Sequence, residues 1–540
     1  SRLLANGELA VLQPAELPFT EDESLAVQRL ARPVARTRSL AEMQALHQIT
    51  AGWPAALRLL LQLETPDALP RQPLRPTDQA QLFDYLASEV FARQPADARR
   101  LLLALAHLPR MRVTMLPALC DHPAALPLLE ALHQDGNLTS RHDGGADAHY
   151  EFHPLLRQFL LHRAEVDLTA AELAALRRRA AALLAAADDP DAAAQLLIAG
   201  QHWDELQALV LEHAETLIRS GRQRTLAAWL QALPRARRDD DPWFCYWQGE
   251  AELHFTPPAA QASFERAYRL FRERRLVDGA FRAWTASVEL ICLEWADFSQ
   301  LDVWLDEAAA LQEDYGIPAG ELASRFTASM FGALMFRRPQ DPAIHRWADR
   351  LLRLIEASPD PIERIVLGCN LQIHHTVCVR RKIELDRLMR AIEPPAGTVL
   401  PPVYGVLWQA IQSMQLWSEG RGDESAAAAM RGGQLAHDHG LRMWDFFLGA
   451  LEVYGWLNDG ELPRARLALE RLAASVDPRR RVDVSHLYFL TAMSKHFSGD
   501  AAAALAAVDQ ALAIADRYAG PHQHILGRLT RAEALHALGR

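Results

Sequence analysis

A chain of 540 residues exceeds what one hydrophobic core supports and predicts about three or four domains. Half of the residues are apolar, and a formal charge of -11 gives the surface the wrong sign for a phosphate backbone, which argues against nucleic acid as a direct partner. Five cysteines (Cys120, Cys245, Cys292, Cys369, Cys378) form no CxxC pair, and no apolar run approaches a membrane span, so a soluble, cytoplasmic protein is expected. The chain opens on Ser1 and ends in the helix-like "EALHALGR", and we expect it to be the middle of a larger protein.

Residues 1–65 read as helices. "FTEDE" puts Thr20 at an N-cap with Glu23 three positions on, a capping box, followed by the apolar Leu25, Val27 and Leu30. "TAGWPAAL" (50–57) interrupts the helical pattern: Gly52 and Pro54 mark a turn, with Pro54 in the first turn of the next helix, where its missing N–H costs nothing. "LPRQPLRP" (69–76) is too rich in proline for a helix or a central strand and reads as a linker.

From Thr77 three short helices are predicted, on the apolar faces Leu82/Phe83/Leu86/Val90, Leu101/Leu102/Leu105/Leu108 and Leu126/Leu129/Leu132. "NLTSRHDGGADAHYEF" (137–152) reads as a hairpin around Asp143-Gly144-Gly145, and a helix follows from Pro154. That order is a winged helix. The helix that would read DNA, "HPAALPLLEALHQ", carries no basic residue besides histidine, so a structural winged helix is expected.

Beyond residue 166 the sequence is alanine- and leucine-rich helix. Turn-like stretches fall near Pro257, Asp297, Pro339, Lys382, Gly422, Gly460 and Gly499, at spacings of 38 to 43 residues. Two helices in each such unit predict an α-solenoid of tetratricopeptide style, in which each hairpin buries its apolar face against its neighbours. Trp243, Trp247, Trp284, Trp295, Trp304, Trp347, Trp408, Trp417, Trp444 and Trp456 concentrate there. Most are expected to pack between repeats, although tryptophan also stacks on ligands, and a superhelix offers a concave surface for that.

Signatures of chemistry are few. The chain has two lysines, Lys382 and Lys495, neither preceded by glycine, so it contains no Walker A motif; HExxH, GxSxG and GxGxxG are also missing. We predict no catalytic residues. The best metal candidate is "CNLQIHHTVC", where His374 and Cys378 stand one helical turn apart, but two cysteines on a solenoid helix read better as core, and no metal is predicted. The runs "RRR" at 177–179 and 479–481 read as solvated faces.

"TAGWPAALRLLLQL", "LFDYLASEVFARQP…RRLLLALAHLPRM" and "YEFHPLLRQFLLHRA" together resemble the nucleotide-binding module of MalT-like STAND regulators, the large ATP-dependent LuxR-type transcription activators. "SGRQRTLAAWLQALP" (220–234) is similar to the helical segment that follows in that family. The resemblance implies a predominantly all-α chain with this map: 1–68, the C-terminal helical part of the nucleotide-binding module; 69–76, a linker; 77–165, a winged helix; 166–240, a helical connector; and 241–540, a tetratricopeptide-like sensor solenoid.

It also implies roles. Gly52 and Pro54 match the family's Gly-x-Pro motif, whose proline packs on the adenine. His153 matches the winged-helix histidine that contacts ADP phosphates in the closed state, and Arg2 resembles a sensor arginine. The P-loop and the DNA-binding output domain of the family are missing. ATP or ADP is therefore expected in a full-length parent and not tightly on this segment, which is not expected to be an enzyme or to touch DNA. The function implied is signal sensing, with a small-molecule inducer or a protein on the solenoid and self-association when active. The alternative is a tetratricopeptide-like protein-interaction scaffold without nucleotide switching. The two part on ligand response: a sensor melts differently with a small molecule or peptide, a scaffold does not.

Overall fold

A computed structural model of the chain describes residues 19–30, 40, 43–44, 47, 54, 57, 91–134, 139–142 and 148–540 apart from 321, 380 and 519. Two compact units divide it, Ser1–Leu209 and Val210–Arg540.

In the first unit the helix α1 (Glu21–Leu30) starts at the predicted capping box. The Thr20 N–H donates to Glu23 Oε2 at 2.8 Å, and the Glu23 N–H donates to Thr20 Oγ1 at 3.2 Å. Leu25 and Val27 pack with Phe19 on a small core of Met43 and Leu57. The predicted helix at 82–90 lies outside the described residues.

The winged helix follows as α2 (Ala96–Leu105), β1 (Met111–Arg112), α3 (Leu116–Cys120), α4 (Ala125–Gln134), β2 (Thr139–His142), β3 (His149–Phe152) and α5 (Pro154–Asp167). The predicted hairpin is present, with Thr139 opposite Phe152 and His142 opposite His149; its turn, 143–147, lies outside the described residues. A strand not foreseen from sequence, β1, pairs antiparallel with β3, so the sheet order is β1-β3-β2. Two residues give no period-2 pattern to read. The core is Leu102, Leu105, Leu129, Tyr150, Leu156, Phe159 and Leu160, all almost without solvent exposure. The Arg157 Nε donates to the Ala106 carbonyl at 2.9 Å and so ties α5 to the end of α2. Three further helices, α6 (Ala170–Ala186), α7 (Pro190–Ala199) and α8 (Trp203–Arg219), follow, the last running across the division between units.

The second unit is an α-solenoid. After α9 (Gln223–Ala232), α10 (Arg235–Asp239) and α11 (Pro242–Glu252), helices alternate as α12 (Pro257–Glu273), α13 (Val277–Glu294), α14 (Leu301–Tyr315), α15 (Leu322–Arg337), α16 (Ala343–Ala357), α17 (Pro361–Ile373) and α18 (Lys382–Ile392). The series ends with α19 (Pro402–Ser418), α20 (Gly422–His439), α21 (Asp445–Asn458), α22 (Leu462–Ser475), α23 (Arg481–Phe497), α24 (Ala501–Tyr518) and α25 (Pro521–Ala537). Each predicted turn separates one pair of helices from the next, as the period near 40 required.

Alternate helices stack on one another, α11 on α13 on α15 on α17 on α19 and onward to α25, and form an inner layer. The series also returns on itself: α25 touches α15, and the Val482 N–H donates to the Ala296 carbonyl at 3.1 Å.

Hairpin packing rests on notches left by glycine. Phe264 and Phe271 of α12 are fully buried against Gly249 of α11 and Gly279 of α13, where an added Cβ would stand 2.4 and 2.2 Å from the rings. Gly249→Ala and Gly279→Ala are each expected to destabilise the unit by about 1–3 kcal/mol through overpacking. A lowered urea midpoint followed by tryptophan fluorescence checks this, and an unchanged midpoint would contradict the notch.

Candidate functional site

The inner layer of the second unit encloses a cavity of about 710 Å³, within the range of small-molecule sites. Its wall draws on α11, α13, α15, α17 and α19, with Trp444 entering from a short 3-10 turn. At its centre is Arg325 of α15. The guanidinium donates to both carboxylate oxygens of Glu289 on α13 (2.5 and 3.2 Å), to Glu250 Oε1 on α11 (3.4 Å) and to the Tyr246 hydroxyl (3.3 Å). Tyr246 in turn donates to Glu250 at 2.7 Å. Burial works against the charge of Arg325, but Glu289, Tyr246 and Glu250 outweigh it and hold the guanidinium well above its ordinary value. Burial, then Glu250, pushes the Tyr246 phenol far up, so it stays a donor.

Three polar atoms of the wall are buried without a hydrogen-bond partner: His254 Nδ1, Trp444 Nε1 and Ser329 Oγ. Such orphans call for an explanation, and a ligand is one. His254 stacks on Trp444 with ring centroids 6.4 Å apart, and burial pushes its pKa down to about 4.

Of the ten solenoid tryptophans, Trp247 and Trp444 line the cavity. Trp284 is fully buried and donates to the Trp304 carbonyl at 2.7 Å, Trp295 packs among Phe298, Phe336 and Phe447, and Trp456 lies under Arg464. Sequence reasoning missed Arg325, Glu289, Glu250 and His254. The first three of these stand 36 to 75 residues apart, and no motif spacing joins them. The visible signal was the tryptophan cluster alone.

The first unit holds the residues that the resemblance singled out. His153 is the N-cap of α5: its Nδ1 accepts the Leu155 N–H at 3.3 Å, and Pro154 occupies the first turn. With Nδ1 accepting, a neutral ring carries its proton on Nε2, a donor suited to an anion. A helix N-terminus favours the same charge. Beside it, Arg110, Glu151, Phe152, Pro154 and Arg157 line a cleft of about 420 Å³. Pro54 is helical and half-buried; Arg2 and Gly52 lie outside the described residues.

His374 and His375 of the former metal candidate are buried in a π-helical turn that extends α17, and burial lowers the pKa of both. Burial also pushes the Cys369 thiol up to about 12 and the Cys378 thiol up to about 11. Among the described residues the group spaced to share an ion is His142, His149 and Glu151 on the hairpin, with ligand atoms within 4.8 Å of one another.

Three helices and a three-stranded sheet closed by α5 define a winged helix. Its particular kind is that of MalT: residues 87–173 match the family model described as the MalT winged helix domain, so this domain is of the kind that its sequence resembled. Among solved structures the chain is similar to a signal transduction ATPase with numerous domains (STAND) protein with a tetratricopeptide repeat sensor from Pyrococcus horikoshii. That likeness has 14% identity and a TM-score of 0.46 and covers 92% of this chain and 72% of that one. No curated protein matches. Among the described residues, no helix is long and apolar enough to cross a membrane.

The folded pKa of His254, near 4, lies below its ordinary 6.5. Its contribution is therefore fully present above pH 6.5 and is lost as pH falls through 4, an effect of up to about 3 kcal/mol. The melting temperature of the chain is expected to fall between pH 6.5 and 4, with a shallower slope in His254→Gln. An equal slope in both proteins would rule out His254 as a contributor.

Proposed function

We propose that this chain is the signal-sensing and regulatory segment of a MalT-like, ATP-dependent transcription regulator of the LuxR type, working in the cytoplasm. The observation that carries the reading is the solenoid cavity, whose wall holds three unpartnered polar atoms, in a chain that bears a MalT-type winged helix. An inducer bound among the inner helices shifts the regulator toward its open, ATP-bound state only through greater affinity for that state. The winged helix holds the ADP-bound off state, with His153 donating from Nε2 to a phosphate, Arg110 and Arg157 adding positive charge, and Pro54 against the adenine. Opening frees the module for self-association. The segment itself neither hydrolyses ATP nor contacts DNA: α4 offers no lysine or arginine.

Two measurements test this reading. In a regulator that contains this chain, His153→Ala is expected to raise transcription in the absence of inducer; unchanged basal activity would remove the histidine from the switch. For the chain alone, a survey of small metabolites by thermal melting should give at least one saturable rise in melting temperature. Indifference to every metabolite, together with capture of one defined protein, would favour the scaffold.

A further inference from the structure

The chemistry of the cavity wall narrows its ligand, on the reading that this cavity is the sensor site. The wall carries five carboxylates (Glu215, Glu250, Glu289, Asp360, Glu363) against three guanidinium groups (Arg219, Arg282, Arg325). Each guanidinium is already engaged. Arg219 pairs with Asp360 at 2.6 Å, Arg282 with Asp278 at 3.0 Å, and Arg325 serves Glu289 and Glu250 together. An anionic ligand would find no uncommitted cation and would have to break one of these pairs. The carboxylates are in surplus. Around Arg325 one guanidinium balances two of them, and Glu250 is buried.

A charge imbalance inside a cavity is costly unless a partner of opposite sign is supplied. Trp247, Trp444 and Tyr404 stand in the same wall, and aromatic rings attract cations over their faces while also packing flat apolar rings. The unpartnered Trp444 Nε1, a donor, and His254 Nδ1 offer further hydrogen bonds to polar atoms of a ligand body.

We propose that the cavity binds a small aromatic amine in its ammonium form, with the cation on the Glu250/Glu289 side and the ring among the tryptophans. An isosteric series tests the charge alone: tryptamine, the neutral tryptophol and the anionic indole-3-acetate, titrated calorimetrically into the full chain at low ionic strength. Tryptamine is expected to bind at least about tenfold more tightly than tryptophol, with indole-3-acetate weakest. Glu250→Gln should reduce the tryptamine preference while sparing tryptophol. The wild-type series decides the matter should that variant fail to fold.

Equal or tighter binding of tryptophol or indole-3-acetate would overturn the cationic assignment and leave the cavity a ligand site. Failure of all three to bind would also overturn the assignment. The sensor reading itself falls only if the metabolite survey is silent too.

Discussion

The guanidinium of Arg325 is the point on which the inner layer of the solenoid is registered. It sits on α15 next to the buried run from Phe326 to Phe336 and is itself partly withdrawn from water, with a side chain 32% exposed, so its charge gains from partners close by. Glu289 from α13 and Glu250 from α11 supply them, and the network thereby fixes three successive inner helices against one another. Hydrophobic packing alone would tolerate a shift of one helix along the next by a fraction of a turn. A forked donor held by two carboxylates and a phenol does not, because any slip breaks several charge-assisted hydrogen bonds at once. The same atoms face the cavity, so the interaction that aligns the repeats also sets the electrostatic character of the space they enclose.

A solenoid hairpin has no core of its own, and its stability comes from intrinsic helix formation plus the interfaces with its neighbours. In this unit that one-dimensional logic is modified by return contacts. Trp295, in a left-handed turn at φ 53°, reaches Phe447 and His486, and Arg480 donates to the Glu294 carbonyl. Residues nearly 200 positions apart therefore share one packing group. Helices enclosed by such contacts, α13 and α15 above all, are buried on most sides, whereas α16 and α18 keep one apolar and one charged face.

This division explains what could be read from the sequence. Local signals were legible: the Thr20/Glu23 capping box, the hairpin before Pro154 and each turn that marks the period near 40 depend on residues a few positions apart. The repeat punctuation located every hairpin because Gly and Pro act through local backbone geometry. The cavity was not legible. Its wall is assembled by stacking alternate helices, so Tyr246, Glu289 and Arg325 meet only through the curvature of the layer, which no local pattern encodes. The tryptophan cluster marked the region but could not separate Trp444, which lines the cavity, from Trp284, which is fully buried. β1 escaped notice because two residues gain strand character only from β3.

In the winged helix, α4 (Ala125–Gln134) carries no lysine or arginine. A DNA reader needs cations on the helix before the wing. That helix, α4, has Glu130 on one side, and His133 there is engaged with the Thr139 carbonyl at 3.1 Å, so its polar groups serve the fold. At the start of α5, which His153 caps, the helix dipole favours a negative charge, and the adjoining cleft holds two arginines against one glutamate, Arg110 pairing with Glu151 at 3.2 Å and Arg157 donating to the Ala106 carbonyl. The solenoid cavity has the opposite balance, with carboxylates in excess of guanidinium groups.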